Sequence, residues 1–126
     1  MSVACPAAQA VEVARAGGVD VGLLHRVMAA GPNRSDVFDW MFAAALEGDE
    51  SRLAFSIANG VKDIAHFDDM IDDMSAALGV PATIPAAARR VLGDAVAAGR
   101  GEENVPALMR PAAGESLGSR LRAAAP

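Results

Sequence analysis

The chain has 126 residues, 52% of them hydrophobic but only 4% aromatic, with ten arginines, one lysine, one cysteine and a formal charge of −5. This length bounds one domain able to bury its own core. The acidic balance argues against nucleic acid as a partner, no apolar run reaches the length of a membrane span, and a lone Cys5 rules out an internal disulfide or a cysteine-based zinc site.

Alanine, leucine and methionine favour helix, and β-branched residues never cluster as they do in strands. Pro6 suits the first turn of an opening helix, which Gly17 and Gly18 end. Asp20 is the expected N-cap of a second helix, with Leu23, Leu24, Val27 and Met28 on one face and Gly31 closing it. After a turn at "GPN", Ser35 caps a third, whose apolar stripe is Phe38, Met41, Phe42 and Ala45. A long helix is expected from about Phe55 to Leu78, ended by Gly79 with Pro81 beyond it. Ile64, Phe67, Ile71, Met74 and Leu78 form its buried seam. A further helix starts around Thr83 to Pro85 and ends before Gly99, with core residues Val91, Leu92, Ala95 and Val96. "VPALM" adds a last helical turn. The expected architecture is a single all-α domain of five to six helices over residues 1–110, followed by a mobile tail, 111–126. The opening segment lacks the basic start and apolar stretch of a secretory signal, so the expected location is cytoplasmic.

The segment "GVKDIAHFDDMIDDM", Gly60 to Met74, holds the only lysine and five aspartates. On a helix Lys62, His66, Asp69 and Asp73 form a stripe beside the apolar seam, with Asp68 and Asp72 further round toward solvent. A solvated acidic face is the plainer reading, favoured for the four later aspartates. A metal site from His66, Asp69 and Asp73 is disfavoured, because one helix offers too few ligands and no second cluster occurs. Acid–base chemistry is the third reading: a partly apolar groove lowers a lysine pKa by desolvation, while the adjacent Asp63 opposes that shift. Periodicity does not choose between the first and third. His25 reads as a boundary residue, Trp40 as packing, and Cys5 as too remote from basic groups to act as a nucleophile. No glycine-rich dinucleotide or phosphate loop and no nucleophile elbow occurs.

Read in order, "AQAVEVARAGGVD", "GPNRS", "LEGDESRLAFSIANGVKDIAHF", "ALGVPATIP" and "AAGRGEENVPALM" resemble the C-terminal domain of the β-hydroxyacid dehydrogenases. That family includes 3-hydroxyisobutyrate dehydrogenase, within the 6-phosphogluconate dehydrogenase-like superfamily. The resemblance spans roughly residues 8–109 and rests on the order and spacing of these segments. It implies an all-α fold like that superfamily's C-terminal domain. It further implies that Lys62 and Asp63 face a cleft and that Phe55 helps wall it. The departures are large. The family's nucleotide-binding domain is absent, as is the segment carrying its general acid/base lysine and substrate-binding asparagine. Gln9 and Asn104 stand where the family carries acidic residues.

The expected function is a stand-alone, non-redox small-molecule site at a homodimer cleft, performing proton transfer on a small carbonyl or carboxylate compound as an isomerase, lyase or cyclase would. Lys62, Asp63 and His66 are the expected catalytic residues, and Phe55, Trp40 and Asn59 the substrate-binding ones. No metal or cofactor is expected in this chain. The alternatives are the substrate half of a split NAD(P)-dependent dehydrogenase, with a separate Rossmann chain carrying the cofactor, and a non-catalytic binding module. Pro6 leads us to expect a chain that begins its own helix here instead of continuing one from upstream. The face left without a nucleotide domain would then be covered by a second copy.

Overall fold

The computed structural model of the chain describes residues 1, 3–32, 34–79 and 83–111, and their side chains except those of 72–78. Five α-helices follow in order: α1 (Ala4–Ala16), α2 (Val21–Ala29), α3 (Asp36–Glu47), α4 (Ile57–Leu78) and α5 (Thr83–Ala97). Short 3-10 turns occupy Ser51–Leu53 and Val105–Met109. Among the described residues the sole extended pairing is an isolated antiparallel bridge between Ser56 and Asn104. The domain is all-α, and no described helix is long and apolar enough to cross a membrane. The tail beyond Pro111, the Pro81 turn, and the side chains of Asp72, Asp73, Met74 and Leu78 lie outside the described residues.

The local signals act where the sequence put them. The Leu23 N–H donates to Asp20 Oδ1 at 2.8 Å, and the Phe38 N–H to Ser35 Oγ at 3.2 Å, so each cap satisfies a backbone donor the helix cannot. Gly48 and Gly79 close α3 and α4 with φ of 72° and 67°, left-handed backbone that a Cβ would strain.

The core lies where α1, α3 and the 105–109 turn meet. Val11, Met41, Phe42, Val105 and Met109 are fully buried there, joined by Ile57 from α4 and Leu92 from α5. The inner face of α1 is Ala4, Ala7, Ala8 and Ala14, and short side chains let its neighbours approach closely. Arg15 donates to the Met109 carbonyl, fastening the last turn to α1.

Four apolar expectations change. Leu23 and Val27 are 47% and 65% exposed. Leu24 and Met28, one residue and so about 100° further round, take the contact instead. Val96 is 39% exposed and lies beside the turn at Gly101. Phe67 is 44% exposed at the border of the α4–α5 contact, which encloses Ile64 but leaves one side of the ring in water. The long helix also begins at Ile57, two residues later than expected, since Ser56 is its cap.

Candidate functional site

The entry to α4 is built by its neighbours. The Asn59 N–H donates to Ser56 Oγ at 3.2 Å, while the Ile57 and Ala58 N–H groups donate to the carbonyls of Glu103 and Gly101, both at 2.9 Å. The loop before the last turn thus supplies acceptors for donors that a helix start leaves free. In return the Val105 N–H donates to the Phe55 carbonyl at 2.8 Å, fixing Phe55 at the mouth of α4. Gly60 sits directly behind: a Cβ there would lie 3.0 Å from Leu92 Cδ1 and 3.7 Å from Phe55 Cε1. Its missing side chain lets α5 and the Phe55 ring close on α4.

The ion pairs hold the same corner. Arg100 donates to Glu103 at 2.9 Å and to the Ala107 carbonyl at 2.6 Å. Arg110 reaches Glu103 at 2.8 Å and Glu50 at 3.1 Å, tying the C-terminal turn to the segment that carries Leu53 and Phe55. Desolvation pushes the Glu103 carboxyl up, but hydrogen bonds and charge from Arg100 and Arg110 outweigh it and hold Glu103 below its ordinary value.

Along this corner runs a groove of about 470 Å³ between α4 and α5. Met1, Leu53, Phe55, Ile64, Phe67 and Ile84 wall it, and Asp63 is the one lining residue with a charged side chain. Two of the sequence candidates, Phe55 and Asp63, therefore meet here, without the Lys62 expected beside them. Lys62 and His66 are exposed on α4 and line neither this groove nor a second one between α1 and α5. Asn59 is exposed one turn before Asp63, and Trp40 is half-buried on α3, both away from the two grooves. Cys5 is buried, and that burial pushes its thiol above the ordinary value, which suits packing better than nucleophilic attack.

Asp68 departs from the solvated face expected of it. Its side chain is 13% exposed and faces Arg89 of α5 at 3.4 Å, with Oδ1 buried and without a hydrogen-bond partner among the described residues. Those residues contain no group of three or more His, Cys, Asp or Glu side chains gathered as for a metal ion. His25 is half-buried against α3, its ring 5.6 Å from Phe38 and 4.9 Å from Phe42. Sequence spacing gives no sign of such a contact between helices. Ile84 and Ala88 were missed as lining residues, although 84, 88, 91 and 95 recur at helical spacing and mark one face of α5.

The fold and site define an all-α domain with an apolar, single-carboxylate groove at the α4–α5 junction. Comparison with protein-family models, curated proteins and solved structures finds no match to the chain.

Proposed function

We propose that this chain is a non-redox ligand-binding domain. Its ligand is a small apolar molecule with one positive or hydrogen-bond-donating group. The observation that carries the reading is Asp63, the one charged side chain lining a groove otherwise walled by Met1, Leu53, Phe55, Ile64, Phe67 and Ile84. A few polar groups in an apolar cleft fix orientation, and a carboxylate there attracts a cation and repels an anion. A carboxylate ligand of the kind the family resemblance suggests would meet Asp63 with no cationic side chain among the lining residues, since Lys62 is not one of them, and only the amino group of Met1 would offset Asp63. The geometry therefore favours an amine over an acid. Thermal unfolding in the presence of phenethylamine and of 3-phenylpropionate tests this. The amine raises Tm in the wild type and not in Asp63→Asn. Stabilisation by 3-phenylpropionate alone would overturn the reading.

A second reading keeps Lys62, Asp63 and His66 together as an acid–base set. It is favoured by their shared exposure on α4 beside the exposed Phe67 and Met70, an apolar surface suited to burial. A second copy over this face would enclose all three in one cleft. Native mass spectrometry should then give a homodimer that Phe67→Glu dissociates. A monomer, or a complex with a nucleotide-binding chain, would sink it, the latter restoring the split-dehydrogenase alternative.

A further inference from the structure

The second groove, about 530 Å³, lies on the other flank of α5, between that helix and α1. Cys5, Ala88 and Val91 give it an apolar floor and Pro6 and Ile84 an apolar rim, while Gln9, Thr83, Arg90 and Asp94 are its exposed polar residues. Arg90 and Asp94 stand one helical turn apart, with roughly 6 Å between their Cβ atoms by helix geometry. Neither side chain makes a hydrogen bond or ion pair among the described residues, although the adjacent Arg89 is paired with Asp68. Arginine preceding aspartate by four residues is the weaker order for pairing along a helix, so the two charges gain little from each other. One cation and one anion therefore flank a single apolar depression, with an amide opposite that both donates and accepts.

This charge pattern matches a zwitterion. A guanidinium takes a carboxylate through two parallel hydrogen bonds, and a carboxylate takes an ammonium. We propose that the groove between α1 and α5 binds a free α-amino acid with an apolar side chain: its carboxylate on Arg90, its ammonium on Asp94, and its side chain over Pro6, Ile84 and Val91. The groove volume falls within the range of small-molecule sites. A ligand with only one of the two charges leaves the other protein group unmatched.

The test uses L-leucine as the probe, followed by calorimetric titration and by amide chemical shifts of the whole chain. Leucine binds saturably in the millimolar range or tighter, and its shifts concentrate on residues of α1 and α5 around Gln9, Arg90 and Asp94. Arg90→Gln and Asp94→Asn each weaken it by about tenfold, as loss of a charge-assisted hydrogen bond implies. N-acetyl-leucine and leucine methyl ester, each lacking one charge, bind the wild type more weakly by a similar factor. Both substituted residues are exposed, so circular dichroism should be unchanged in the two variants. Asp63→Asn retains leucine binding, which separates this site from the α4–α5 groove. The proposal fails if leucine does not saturate by tens of millimolar, if both variants bind it unchanged, or if N-acetyl-leucine binds as tightly as leucine.

Discussion

Helices α2 and α3 are consecutive, carry apolar residues at the same three- and four-residue spacing, and begin on side-chain caps of the same kind. Their surroundings differ. α3 buries Phe38, Met41, Phe42, Ala43 and Ala44, whereas α2 has no buried residue at all. α3 packs on α1, on the 105–109 turn and on the segment at Ser51–Leu53, so its stripe is covered from several sides. α2 rests on α1 and α3 along one edge, using Leu24 and Met28 and leaving Leu23 and Val27 in water. Periodicity states which face of a helix can be buried; how many neighbours arrive decides whether it is.

The sharpest way to break this contrast is truncation in both helices. Phe42→Ala should cost about 3–5 kcal/mol of unfolding free energy, because the ring is enclosed and its cavity refills poorly. Leu23→Ala should change stability by no more than about 0.5 kcal/mol, the usual size for a surface site. Urea titrations giving equal losses would mean that α2 is covered in solution by something beyond this chain.

A second pair of substitutions sharpens the same point for α4 and α5. Gly60→Ala gains about 1 kcal/mol of helix propensity, but its methyl meets the enclosed Leu92 at 3.0 Å, and overpacking costs about 1–3 kcal/mol. The expected result is a net loss of about 1 kcal/mol. Gly93→Ala has nothing within 4 Å of the new methyl, so it should stabilise by about 0.5–1 kcal/mol. Opposite shifts in Tm support the close α4–α5 approach. A stabilised Gly60→Ala would show that Leu92 has room to move.

The smallest effect concerns Glu103. Its pKa is depressed in the folded chain, so its contribution is complete above the unfolded carboxyl value near 4.5 and is lost as pH falls through the lower folded value. The side chain is still about a third exposed, so the contribution is small and screened by salt. Glu103→Gln should flatten the stability profile slightly below about pH 4.5 and leave it parallel to wild type at neutral pH. An unchanged acid limb would mean that the Arg100 and Arg110 contacts do not persist in solution.

Much of the architecture was legible from residues that act on their own backbone. Asp20 and Ser35 cap helices wherever those helices sit, and Gly79 ends α4 because of a local dihedral angle. The candidate site was legible in part. Phe55 and Asp63 share the α4–α5 groove, while Lys62 and His66 remain on an open face of α4. Residues 62 and 63 differ by about 100° around the helix, and nothing in the sequence states where α5 falls between them. Ser56 was overlooked as a cap because Phe55 and Ile57 on either side continue the apolar pattern.

The sequence by itself determined the helical class, the breaks between helices, the caps at Asp20 and Ser35 and the acidic balance, because propensity, capping and charge are properties of short segments. Tertiary structure alone decided that α2 stays largely exposed, that Asp68 turns toward Arg89, that His25 lies on Phe38 and Phe42, and that Ile84 borders two grooves. Each of these depends on which helix comes to lie beside which. That is settled by the packing of faces distant in sequence, and no local pattern contains it.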